Sequence, residues 1–151
     1  MSSRRLLRFA LWLALGGWVG SWAFFAFVVS RIAFRVLPGN VAGDLAGALL
    51  SNLHWGGAVA GLVVAGTSWA LGRRGLRVAV PLGLALICMA SELWLSPAVA
   101  AVRPSTLGAA STQAAAERFH VLHRLSLGLF LAVHLASIGL VWSNVREDDG
   151  I

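Results

Sequence analysis

The chain is 151 residues long, 58% hydrophobic and 12% charged, with a single cysteine. An ordinary soluble domain carries about twice that share of charge, and here the charges are swept out of long apolar runs, which excludes a soluble enzyme, a nucleic-acid-binding domain and a disulfide-stapled secreted domain. The net charge of +6 comes from arginines alone, since there is no lysine; they sit at the ends of the apolar runs, where lipid headgroups meet them, and leave no basic face for a nucleic acid.

The first run lies between Arg8 and Arg31 and holds 22 uncharged residues. A secretory signal has an apolar stretch of only about 7–15 residues followed by a small-x-small cleavage site. This run is longer and lacks that site, so it reads as an uncleaved span over about 9–30. A second run of 28 uncharged residues separates Asp44 from Arg73, giving a span at about 46–71. The Arg-rich stretch 72–77 then forces an antiparallel hairpin. The third span, about 78–99, contains Pro81, expected in its first turn, where a missing N–H costs little, and a single charge, Glu92. Pro97 and Pro104 mark its exit. Residues 103–116, rich in Ala, Ser and Thr, read as a partly helical loop, and the fourth span covers about 121–143. A span needs about 20 apolar residues to cross the hydrocarbon, so all four qualify. The fold class expected is an all-α, integral membrane, antiparallel four-helix bundle forming one domain over 1–151.

Orientation follows from the arginines. Arg4, Arg5, Arg8, Arg73, Arg74, Arg77 and Arg146 fall on one side, and Arg31, Arg35, Arg103, Arg118 and Arg124 on the other. Because the first segment and short loops weigh most in the positive-inside rule, both termini are expected in the cytoplasm. Packing in lipid needs close backbone approach rather than hydrophobic burial, and Gly16/Gly20 in span one and Gly57/Gly61 in span two have the small-xxx-small spacing for it. Trp12 and Trp142 are read as anchors at one interface and Trp94 at the other, with Trp18, Trp22 and Trp55 as deeper packing residues. Cys88 is read as a small apolar residue of span three.

Ionisable residues inside spans are functional suspects. Here they are His54, Glu92, His123, Arg124 and His134, with Ser126 beside them. At a rise of about 1.5 Å per residue, His54 and Glu92 lie about 12 Å below the outer boundary, with His123 near it and His134 about 16 Å deeper than His123. His123 and His134 share a helix face, with His120 and Glu117 flanking the same stripe. A polar cluster of His54, Glu92, His123 and Arg124 is therefore expected in the outer half. It reads first as a hydrogen-bonded network in which Glu92 pairs with Arg124 or a histidine. A metal held by His54, Glu92 and His123, a haem or chlorin between His54 and a span-four histidine, and an oligomeric transporter with Glu92 in its pathway are the alternatives. No catalytic elbow, phosphate loop or HExxH spacing is present, so neither an enzyme nor a bound cofactor is expected. The partners expected are the lipid bilayer, with a homo-oligomer or a larger membrane complex beyond it.

The stretches Gly16-Gly17-Trp18-Val19-Gly20, Phe24 to Val29, Phe34, Leu37-Pro38 and Ala42-Gly43, followed by Ser96-Pro97 and Arg103, form a pattern with Phe119, Leu122, His123 and Ser126, which read Phe-x-x-Leu-His-x-x-Ser. It resembles the transmembrane protein 205 family, whose bacterial members are a four-span domain of unknown function. The chain departs from that family at Arg31, where members place proline, and at Phe130, where a polar residue is common; His120 and His134 do not carry over. The resemblance implies four helices in a membrane, here the bacterial inner membrane, His123 and Ser126 as a shared feature, and no established activity.

Overall fold

A computed structural model describes residues 3–104 and 112–148. Lipid offers no partner to a backbone N–H or C=O, so a spanning segment must satisfy them internally; among the described residues there are helices and connections but no strand. Four helices are long and apolar enough to cross a membrane.

Span one is α1 (Ser3–Phe24), a π-helical turn (Phe25–Val29) and α2 (Ser30–Val36). In the π turn the Ser30 N–H bonds Phe25 O, five residues back, and the Ser30 hydroxyl bonds Ala26 O, the carbonyl that its N–H gives up. The extra residue shifts the inward stripe. Leu11, Leu15, Trp18, Trp22 and Phe25 recur at ordinary α spacing and are buried. Beyond the turn the stripe resumes at half-buried Ser30, buried Ala33 and half-buried Leu37. Ile32 and Val36, which an unbroken α-helix would turn inward, are 55% and 66% exposed. Leu37 is extended, at φ −113° and ψ 150°, because Pro38 disfavours α geometry in the residue before it.

Span two, α3 (Gly39–Ala70), runs unbroken for 32 residues. It ends in a Schellman motif: Gly72 takes φ 86°, Arg73 N–H bonds Ser68 O, and Gly72 N–H bonds Trp69 O. The left-handed φ favours glycine at this point.

Span three is α4 (Leu76–Ala90), a second π turn (Ser91–Leu95) and α5 (Ser96–Val102). Two proline expectations are corrected here. Pro81 lies in the second turn of α4, not the first, buried against span two. Pro97 does not end the span, which continues to Val102. A proline withdraws its own N–H and clashes with the carbonyl four residues back, which for Pro97 is Leu93. The π turn just upstream, closed by Ser96 N–H on Ser91 O, absorbs that conflict. Only Arg103, extended before Pro104, leaves the helix. The expected loop at 103–116 is described at 103–104 and again from 112, with helix from Gln113; its remainder lies outside the described residues. Span four, α6, covers Gln113–Asp148.

The core of Leu11, Leu15, Trp18, Trp22, Ala58, Val64, Leu84, Cys88, Val133 and Leu140 occupies the half of the bundle that carries the termini. Gly57 and Gly61 serve it. A Cβ on Gly57 would come within 3.0 Å of Cys88 Sγ and 3.1 Å of Trp18 Nε1, and one on Gly61 within 2.7 Å of Pro81 O. Gly16 and Gly20 do not take part, contrary to expectation: both are exposed, and a Cβ there would meet nothing within 4 Å. They sit off the stripe set by Leu11, Leu15 and Trp18, so span one approaches span two through the Trp18 indole laid over Gly57. Trp55 is likewise corrected, being 46% exposed on the lipid face. At the terminal end a buried Arg73 donates to the buried side chain of Asn144, and Arg77 pairs with Glu147; both tie the hairpin to span four.

Candidate functional site

The other half of the bundle, away from the termini, encloses a cavity of about 910 Å³. Its walls come from all four spans: Phe25, Ser30 and Phe34 from span one, Gly43 to His54 from span two, Glu92 to Arg103 from span three, and Phe119 to Phe130 from span four. Both π turns lie at this level, and the second presents Glu92; π turns are frequent at functional sites because they break the helical repeat locally.

Glu92 is the centre of the polar wall. Ser51 Oγ donates to its Oε1 at 2.6 Å, and His54 Nδ1 lies 3.2 Å from its Oε2. A carboxylate only accepts, so the proton of this hydrogen bond is on His54 Nδ1. Ser96 Oγ lies 3.5 Å from the same Nδ1. Local helix geometry assembles this group: Ser51 and His54 are one turn apart on α3, as are Glu92 and Ser96 on span three. The carboxylate sits between hydroxyl and imidazole. That inverts a nucleophilic relay, in which the imidazole stands between the hydroxyl and the acid.

A ladder of rings closes the cavity floor. Trp22 meets the His54 ring edge-on at 6.1 Å and stacks on Phe130 at 4.6 Å. Phe25 meets Phe130 at 5.9 Å, and His134 stacks with Phe130 at 6.4 Å. At the opposite end of the cavity Arg103 clasps α3, donating to Gly43 O and to Asp44 Oδ1, both at 2.8 Å. A Cβ at Gly47 would collide with the Arg103 guanidinium, so glycine there is the seat of the clasp.

The structure gathers only some of the expected residues. His54 and Glu92 pair directly. His123 and Ser126 line the same cavity, with His123 exposed and stacked on Phe119 at 5.3 Å. Arg124 does not join: it is exposed, and its Nε donates to His120 O one turn back. His134 is buried in the floor, outside the cavity lining. Its Nδ1 has no hydrogen-bond partner among the described residues. The metal reading is not assembled either, since among the described residues no three His, Cys, Asp or Glu side chains form a ligand group. A macrocycle between His54 and His134 would have to displace the stacked Trp22 and Phe130. Gly43, Ser96 and Arg103 stood in the sequence only as parts of the family-like pattern, with no site role, and Ser51, Asp44 and Gly47 were missed; their signals were weak: one-turn spacing from a suspect residue, or small-xxx-small spacing opposite an arginine.

A family model described as a domain of unknown function (DUF4149) matches residues 13–106, which takes in Glu92, His54 and the Arg103 clasp. No curated protein and no solved structure matches the chain.

Proposed function

The chain belongs to the DUF4149 family, a domain of unknown function, and from that premise we propose that it is a non-catalytic binding protein of the membrane, holding one small molecule in the cavity of its far half. One observation carries this reading: a space of about 910 Å³, the size of a drug-sized ligand site, has the Ser51–Glu92–His54 group set into mostly apolar walls. Packed membrane bundles bring small residues together to close such spaces. Here α3 and span three close tightly at Gly57 and Gly61 in one half and are tied through Glu92 to Ser51 and His54 beside the cavity in the other. The order hydroxyl–carboxylate–imidazole suits holding a polar group rather than attacking one. The arginine distribution supports termini in the cytoplasm of a bacterial inner membrane, with the cavity in the outer half. The Phe119-x-x-Leu122-His123-x-x-Ser126 pattern, which lies beyond the matched stretch, supports the likeness to the transmembrane protein 205 family and puts His123 and Ser126 on the cavity wall. The protein acts alone, as a homo-oligomer, or beside a larger partner.

The test is native mass spectrometry of gently solubilised protein, wild type against Ser126→Trp, which fills the cavity from span four. A co-purifying species at one per chain, displaced by the tryptophan while helicity is kept, is the expected result. Equal adducts on both proteins would refute the reading.

A further inference from the structure

The far half of span one stands apart from span four. The segment Phe25–Val36 approaches α3, but none of its Cα atoms comes within 8 Å of α5 or α6; the backbone of span one comes that near to span four only in α1. At the level of the floor, side chains bridge the gap, since Phe25 and Trp22 both touch Phe130. Above the floor, residues on both sides of the gap line the cavity and face outward at once. Phe34 on span one is 57% exposed and Leu127 on span four is 59% exposed, and both are cavity walls.

Charge points to what enters. The ionisable groups facing the cavity are Glu92, His54, Asp44, Arg103 and His123. Arg103 and Asp44 neutralise each other in an ion pair at 2.8 Å. Among the described residues no arginine is paired with the carboxylate of Glu92, whose partners are the Ser51 hydroxyl and the His54 imidazole. Ser51, His54 and Ser96 hydrogen-bond the carboxylate, which can accept about four such bonds and so has room for another donor. The phenylalanines at 25, 34, 119 and 130 supply apolar walls between that carboxylate and the lipid.

We infer that the cavity opens laterally between the far halves of spans one and four and takes its occupant from the bilayer: a lipophilic amine whose apolar body lies among the phenylalanines and whose ammonium donates to Glu92. This rests on the binding role proposed above and adds the class of ligand and its route.

The test uses wild-type protein in neutral lipid nanodiscs, with tryptophan fluorescence and native mass spectrometry reporting binding of three probes. These are dodecylammonium, dodecanoate of the same chain length, and water-soluble ethylammonium. Dodecylammonium is expected to bind one per chain and about tenfold tighter than dodecanoate, the worth of one hydrogen bond to a charged group. Glu92→Gln should remove the preference. Ethylammonium at about 100-fold excess should fail to compete, because the chain supplies most of the binding. Since the wild-type preference needs no variant, the result stands even if Glu92→Gln folds poorly. Equal or tighter binding of dodecanoate would overturn the amine, and competition by ethylammonium would overturn the lipid route; both leave a small-molecule site in place. If no probe binds and no co-purifying species is lost in Ser126→Trp, the inference and the binding role fall together.

Discussion

Gly61→Ala should destabilise the bundle although it adds one methyl to a helix. In isolation the change favours folding, because glycine in a helix interior is about 1 kcal/mol worse than alanine. At Gly61, however, the new Cβ would lie 2.7 Å from Pro81 O and 2.9 Å from Ala85 Cβ. Both belong to α4, one of the two is backbone, and neither has a flexible end that could swing aside. Spans two and three must separate, and overpacking of this kind costs about 1–3 kcal/mol. With a rigid neighbour the upper part of that range applies, leaving a net loss of about 1–2 kcal/mol, a factor of about 5–30 in the folded-to-unfolded ratio. Gly16→Ala and Gly20→Ala are the controls. Nothing lies within 4 Å of a Cβ at either, so each should be neutral or up to about 1 kcal/mol more stable. Unfolding in mixed micelles with rising sodium dodecyl sulfate, followed by tryptophan fluorescence, measures all three. If Gly61→Ala proves as stable as Gly16→Ala, the close approach of α3 and α4 at Pro81 is wrong.

Asn144→Ala should cost about 1–3 kcal/mol in the same assay, because it removes an acceptor from a buried guanidinium, whereas Arg77→Ala, half exposed against Glu147, should cost under about 1 kcal/mol. Trp22→Ala should cost about 3–5 kcal/mol and open the cavity floor, which would appear as altered mobility of a spin label on span four near Phe130. Gly47→Ala should cost little stability, since the Arg103 head group is free to swing out. It should reproduce the effect of Arg103→Ala on ligand exchange, and different exchange rates for the two variants would count against the clasp. Cys88, 1% exposed beneath Gly57, should resist maleimide in the folded protein and react on unfolding; ready labelling of the native state would contradict its position.

Much of the fold was legible because charge is a strong signal in a membrane chain. Long runs with at most one charge, ended mostly by arginines, placed all four helices, and the short Arg-rich stretch placed the hairpin. The two π turns were not legible. A soluble helix reveals its inward face by hydrophobic contrast, but here Val29, Ile32 and Val36 are as apolar as the residues that replace them in the stripe, so a one-residue slip leaves no mark in composition. The same lack of contrast misplaced Gly16 and Gly20, whose spacing matched a packing motif on a face that meets lipid. In the site, equal depth put His54 and Glu92 within reach of each other, while the partner expected for Glu92 was Arg124 or a histidine. Arg124 was misjudged because depth alone does not give azimuth: it lies one residue from His123 and therefore on another face of α6. The Arg103 clasp was hidden because 59 residues separate it from Asp44 and no local spacing links them.

A π turn is an α-helix holding one surplus residue, so each of the two marks a place where the chain has room to shorten. Deleting one residue within Phe25–Val29 would leave an ordinary α-helix in which Ser30, Ala33 and Leu37 still face the bundle. Deleting one elsewhere in the same span, such as Val19, would rotate all that follows by about 100° relative to what precedes it and carry Trp22 or Trp18 off the core. Spans one and three should therefore tolerate single-residue deletions at their π turns far better than a turn to either side. Relatives that differ from this chain in span length should differ there first.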